Sequence, residues 1–218
     1  QDYDNNGYDW TADRFAMSGW GTECAYGLFY ASGFKYCKND GETIALDFDR
    51  EILDEVIDKT LSVWSKSGTY FIDTAKVEDH NKPHDVFAEG RGLFCDIMLC
   101  KIQMFFTNMD DDYGIVPEPM HSVDQKEYYS YTGYTVPTVV VPATDPNPER
   151  TGNIIEALCT ASSDVVIPKM YEIVTKIQNA RDEDSAEMIE IALNSQVFDA
   201  CQWLGLTGIE SMIRSLIK

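Results

Sequence analysis

Residues Phe87–Pro119 read FAEGRGLFCDIMLCKIQMFFTNMDDDYGIVPEP, and the fold class turns on them. Gly90 and Gly92 flank Arg91, so the chain can reverse where a Cβ would clash. Leu93, Phe94, Cys95, Ile97, Met98 and Leu99 then form a nearly continuous apolar run. Such a run predicts a strand covered on both faces. A helix follows, and Phe105 to Asp112 reads as an acidic surface loop. Tyr113 to Pro117 predicts a second short buried strand, closed by a proline that cannot donate to a ladder. Two buried strands joined through a helix make an α/β crossover unit.

The surrounding chain supports a folded α/β protein. It has 218 residues, 44% of them hydrophobic, enough to bury a core. Its net charge of −20 excludes nucleic acid and anionic lipid as expected partners, because both need clustered Lys and Arg. No apolar run approaches the roughly 20 residues of a membrane helix. The first residues, Gln-Asp-Tyr-Asp, are polar and carry no signal segment, so a processed or truncated product is expected. The six cysteines include no C-x-x-C pair and sit mostly among apolar neighbours, which predicts buried free thiols. A disulfide between Cys24 and Cys37 is left open.

Working outward, Arg14 to Ser18 predicts a strand and Thr22 to Ala31 a helix stopped by Gly33. Phe34 to Phe48 predicts a hairpin turning at Asp40-Gly41. Asp49 to Lys66 has the period of an amphipathic helix with Asp49 as N-cap. Residues 69 to 82 read as loop, and Pro83 to Glu89 as a short helix. Val136 to Val141 predicts a β-branched strand between prolines. Beyond it, helices are expected over Asn147–Ser162, Val165–Asn179, Glu183–Asn194 (capped by Asp182), Gln196–Leu204 and Gly208–Ile217.

Residues 2 to 13, DYDNNGYDWTAD, place Asp2, Asp4, Asn6 and Asp13 at the first, third, fifth and twelfth positions of a calcium-loop spacing, with Gly7 at the sixth. Calcium is therefore a candidate ion, and an exposed Asp/Asn/Gly turn is the plainer alternative. No other cofactor is implied. His80 and His84 have Pro83 between them, so one helix cannot align them on a metal, and His80, His84 and His121 are expected to be solvated. Trp20 lies between two glycines, Glu23 opens a helix, and Tyr128, Tyr129, Tyr131 and Tyr134 cluster in one segment. Rings with nearby carboxylates and hydroxyls are the expected lining of a carbohydrate cleft. A partly buried aromatic surface explains the same residues equally well.

The ordered series F-A-E-G-R-G-L-F, D-D-Y-G-I-V-P-E-P, Y-Y-S, T-V-V-V-P-A-T, E-R-T-G-N-I-I-E-A-L, V-I-P-K-M-Y, R-D-E-D-S-A-E-M-I and S-Q-V-F-D resembles the family 1, sugar-type extracellular solute-binding proteins of bacterial ABC transporters, in their Firmicutes branch. The resemblance covers nearly all of the chain. It implies a type II periplasmic-binding-protein-like fold of two α/β lobes, of which this chain resembles a fragment. On that reading, residues 1–135 are most of the second lobe. Residues 136–195 are the hinge crossing and helices that belong to or pack on the first lobe, and residues 196–218 return toward the second. The resemblance implies a non-enzymatic binding protein that delivers a solute, expected to be a sugar, to a membrane permease. It further implies a lipoprotein on the outer face of the cell membrane. Trp20, Thr22, Glu23, Asp96, Met98, Tyr131 and Tyr134 fall at the implied ligand positions. No Trp occurs near Met98, where sugar binders often carry an aromatic. The fragment is expected to expose apolar surface on its helices from Asn147 to Asn194 and to self-associate through it. A carboxylate-pair hydrolase and a calcium-stabilised interaction module are the alternatives.

Overall fold

The computed structural model describes residues 9–64, 69–72, 80–133, 139–170, 172, 184–199 and 215. Its centre is a three-stranded parallel sheet. Strand β1, Phe15–Trp20, lies in the middle and buries Phe15, Ser18 and Gly19. It pairs with β4, Thr69–Ile72, through Met17↔Thr69 to Trp20↔Ile72. On its other side it pairs with β5, Gly92–Cys95, through Phe15↔Gly92 and Met17↔Phe94. Parallel neighbours need crossovers. Helix α3, Lys82–Ala88, is the crossover from β4 to β5 and packs on all three strands.

Four expectations around the opening stretch need correction. Thr69–Ile72 is a strand rather than loop, since its β-branched and aromatic residues find the free edge of β1. The run from Leu93 is not covered on both faces. It is ladder only as far as Cys95 and forms the sheet edge, where Leu93 is 70% and Phe94 56% exposed. Tyr113–Pro117 joins no ladder. The Ile115 amide donates instead to the Ser185 hydroxyl at 3.0 Å, and Pro117 has no donor to give. The predicted loop from Phe105 also starts late, because helix α4, Ile102–Phe106, includes Phe105 and buries Phe106.

The largest apolar cluster lies on helix α1, Gly21–Ala31, and not on the sheet. Ala25, Tyr26, Phe29 and Tyr30 of α1 meet Phe34, Tyr36 and Val56, with Leu53, Ile57 and Tyr131 packed against them. Val56 projects from helix α2, Arg50–Trp64, whose Asp49 cap accepts from the Glu51 amide at 2.8 Å, as expected. The predicted hairpin is present as β2, Cys37–Asn39, antiparallel to β3, Ile44–Leu46. Gly33 ends α1 at φ +75°, and a Cβ there would stand 2.5 Å from the Tyr129 ring, so both backbone and space require glycine.

In the C-terminal part, Asn147 caps helix α5, Pro148–Ala161, and its side chain accepts from the Arg150 amide at 3.0 Å. The helix continues through a π turn over Ser162–Val166 into residues 167–170. None of its residues in α5 is buried, and Ile154, Leu158, Val165, Val166 and Met170 are at least half exposed. Helix α6, Asp184–Asn194, ends at Ser195. The expected helix from Gln196 is instead a short strand, β7, Gln196–Val197. It pairs in parallel with β6, Ser130–Tyr131, because the Ser195 carbonyl already accepts the Ser130 amide at 2.9 Å and sets the register. Asp182, residues 134–138, 173–183 and 200–214, and residues 216–218 lie outside the described residues.

The cysteines divide. Cys24 is a buried free thiol and Cys95 a half-buried one, while Cys100 and Cys159 are free and exposed, against expectation. Cys37 is disulfide-bonded, and Cys24 is not its partner.

Candidate functional site

The carboxyl ends of neighbouring parallel strands point to one rim of a sheet, and the residues following them meet there. After β1 come Trp20, Thr22 and Glu23; after β5 come Asp96 and Met98. The Asp96 amide donates to the Ser18 carbonyl at 2.9 Å, which holds the two strand ends together past the ladder. Gly19 makes room for this approach: a Cβ on it would stand 3.0 Å from the Asp96 Cβ.

A third carboxylate arrives from the segment after Pro117. Glu118 lies along α1, and a Cβ at Gly27 would come within 2.7 Å of its Oε1. The Glu118 carboxyl hydrogen bonds to that of Asp96. Both groups are held above the usual carboxylate range, first by burial. Glu23 adds its charge to the effect on Asp96, while the Glu118 hydrogen bond works in the other direction there. On Glu118 the Asp96 charge and hydrogen bond raise it further. Burial and the proximity of the two groups therefore both disfavour two charges on the pair. One oxygen of Glu23, Oε2, is buried without a protein hydrogen-bond partner among the described residues. The Cys24 thiol, at the same place, is pushed far up by burial, then by Asp96, Glu118, Cys95 and Glu23. The Cys95 thiol is pushed up to about 12 by burial. Neither is an activated nucleophile, which would need a depressed value.

Trp20 stands beside this carboxyl group cluster in a fixed pose. Its indole nitrogen donates to the His80 carbonyl, and its ring meets the edge of His84 at 5.1 Å between centroids. The Lys101 ammonium sits 3.6 Å above the ring centroid. His84 is only 1% exposed, sandwiched against Phe105 at 4.4 Å, which corrects the expectation of a solvated histidine. Its pKa is pushed down to about 4 by burial and by the Lys101 charge, against a hydrogen bond to the Asp96 backbone that favours the charged form. His121 is also tucked in, 3.4 Å from Glu55. His80 is exposed as expected.

The fold thus brings Trp20, Glu23 and Asp96 of the sequence candidates to one rim of the sheet, and Met98 follows Asp96 in the chain. Thr22 joins them in position, but it is 5% exposed and offers little surface. Tyr131 does not join them. Its ring stacks on Tyr30 at 5.4 Å and tilts on Tyr26 at 5.5 Å, inside the aromatic core toward the far end of α1. Eight residues of helix separate Tyr30 from Thr22, about 12 Å. Tyr134 lies outside the described residues, as do Asp2, Asp4 and Asn6 of the calcium spacing. Asp13 is fully buried and turns back on the chain, its Oδ2 accepting the Asp9 amide at 2.8 Å. Among the described residues no three His, Cys, Asp or Glu side chains are placed to hold a metal ion.

Glu118, Lys101 and His84 were not among the sequence candidates. One signal pointed to the first. Gly27 sits in mid-helix, where glycine costs about 1 kcal/mol against alanine, and such a glycine marks a close approach. What approaches is Glu118. Nothing in the spacing of Lys101 or His84 pairs either with Trp20. Comparison with protein-family models, curated proteins and solved structures finds no match.

Proposed function

We propose that this chain is part of a solute-binding protein of an ABC importer, binding a sugar without chemical conversion for delivery to a membrane permease. The observation that carries the reading is one rim of a parallel sheet at which a fixed indole, Trp20, stands beside the Glu23 and Asp96 carboxyl groups. An indole face receives the apolar C–H face of a sugar, and carboxyl oxygens accept from its hydroxyls. The resemblance in the sequence series adds the transport role, the two-lobed type II fold and the hinge near residues 134–141. Closure of two lobes on the solute would then be the working motion, with hinge strands absorbing the dihedral change. The disulfide at Cys37 fits an oxidising compartment, as an extracellular, membrane-anchored lipoprotein requires. Calcium in residues 2–13 stays part of the proposal.

The exposed side of α5, from Ile154 to Met170, supports packing against the first lobe, or against a second copy where that lobe is lacking. Calorimetric titration of the chain, alone and within its longer parent, with a panel of mono- and disaccharides tests the binding. A sugar found this way should bind at least tenfold more weakly to Trp20→Ala, and unchanged affinity would remove Trp20 from the site.

The hydrolase alternative draws on the raised Asp96–Glu118 pair. Glycosidases hold their two carboxyl groups about 5 Å or more apart, so that the sugar or a water fits between them. A directly hydrogen-bonded pair leaves no such room. Release of reducing sugar from a glycoside panel, abolished in Asp96→Asn, is the result that would favour it.

A further inference from the structure

We infer that Lys101 sets the specificity of this site and that its solute is an acidic sugar, one bearing a carboxylate, rather than a neutral sugar. The inference rests on the binding reading above. It starts from the face of Trp20. The ring is anchored through its nitrogen to the His80 carbonyl and against the edge of His84, so it cannot turn aside. One face carries the Lys101 ammonium at 3.6 Å. A sugar that stacks there has to move that ammonium.

The ammonium is also available to an incoming anion. The chain has 37 acidic residues against 17 basic, and Lys38, Lys59, Lys169 and Arg91 each lie beside a carboxylate. Lys101 has no carboxylate within ion-pair distance among the described residues and rests on the indole instead. Its four-carbon stem can swing while Trp20 stays in place. A neutral sugar would displace the ammonium and forfeit the cation–π contact. A sugar carboxylate would receive the displaced ammonium in a charge-assisted hydrogen bond. Glu23 and Asp96 would then take hydroxyls at the other side of the ring.

The test titrates the chain with matched pairs that differ only at C6: galacturonate against galactose, and glucuronate against glucose. The unaltered chain should bind at least one uronate about tenfold more tightly than its neutral partner. Lys101→Met should weaken that uronate about tenfold and strengthen the neutral sugar about two- to fivefold, the worth of an exposed cation–π contact. Lys101→Arg should keep the preference for the uronate, which separates the charge from any effect on folding. The indole N–H resonance of Trp20 should shift in Lys101→Met before any sugar is added. Neutral sugars binding as well as uronates, or Lys101→Met leaving the ratio unchanged, overturns the inference and leaves the binding reading standing. Binding of neither kind of sugar overturns both.

Discussion

Glu118→Gln should steepen the rise of stability with pH in weakly acid solution. In the folded chain the Asp96 and Glu118 carboxyls are both held above the range near pH 4 in which unfolded carboxyls titrate. A pKa raised on folding gives stability that is full below the unfolded value and is lost as pH rises toward the folded value. One retained proton corresponds to a loss of about 1.4 kcal/mol per pH unit. His84 acts in the opposite direction. Its pKa falls on folding from 6.5 to about 4, so its contribution is full above 6.5 and is lost as pH falls toward 4. That too is about 1.4 kcal/mol per pH unit, roughly 3 kcal/mol over the whole window. As pH climbs from 4.5 the two raised carboxyls therefore oppose the rise that His84 gives, Asp96 up to about 6. The introduced glutamine has nearly the same shape against Gly27 and still donates to Asp96, but it holds no proton to lose. The variant should therefore gain more stability than the unaltered chain as pH rises from 4.5 to 6.5, by at most about 1.4 kcal/mol per pH unit. Asp40, Glu55 and Asp145 have lowered values and are fully exposed, so they add little above pH 4.5. Urea unfolding followed by circular dichroism at half-unit pH steps measures both curves. Parallel curves for the two proteins would show that Glu118 is not held above the range of an ordinary carboxyl.

Gly27→Ala adds a Cβ that would stand 2.7 Å from the Glu118 Oε1. Helix propensity alone predicts a gain of about 1 kcal/mol; displacement of a buried carboxyl should turn this into a net loss of about 1–3 kcal/mol, read from urea midpoints, and Gly27→Ala in a Glu118→Ala background should recover the gain. Calcium at millimolar concentration should raise the melting temperature over that in chelator if residues 2–13 bind the ion, and an unchanged melting temperature would remove calcium from the proposal. Leu158→Glu, at a side chain 65% exposed, should leave the melting temperature within about 2 °C while abolishing any self-association seen in sedimentation velocity.

The helices were legible where period and punctuation agreed. Asp49 before an apolar stripe marked α2, Asn147-Pro148 marked α5, and Gly33 marked the end of α1. The hairpin followed from Asp40-Gly41, whose glycine has φ +91°. Strands were legible less well, because a strand exists through its partner. Thr69–Ile72 is too short to show a period and is a strand because β1 has a free edge. Leu93–Leu99 shows the apolar content of a buried strand, yet only Leu93–Cys95 of it is ladder and lies at the sheet edge, since composition does not state which neighbour is present. The same limit governs the site. Trp20 and Glu23 were found because one follows a predicted strand between glycines and the other opens a helix, and Asp96 through the resemblance alone. Lys101 and His84 reach Trp20 through the packing of α3 on the sheet and of α4 on α3, contacts that sequence spacing does not encode.

The Asp96–Glu118 pair admits a purely structural account, in which it ties the segment after Pro117 to α1. That account explains the hydrogen bond and the fit of Glu118 against Gly27. It leaves two features unexplained. A buried carboxyl pair is a poor clasp, because apolar side chains of equal volume would hold the segment at least as well without desolvating two acids. And Glu23 has no part in the clasp, yet it buries one oxygen among these groups with no protein donor among the described residues. Two glycines, in a strand and in mid-helix, accommodate the arrangement at the expense of local propensity. Local rules broken together at one place, beside a ring held rigid at the carboxyl ends of parallel strands, are what a ligand site imposes on a fold. Hydroxyl groups of a bound sugar are donors of the kind that Glu23 lacks, which is why the sheet rim, and not the larger aromatic core along α1, is the place to look for binding.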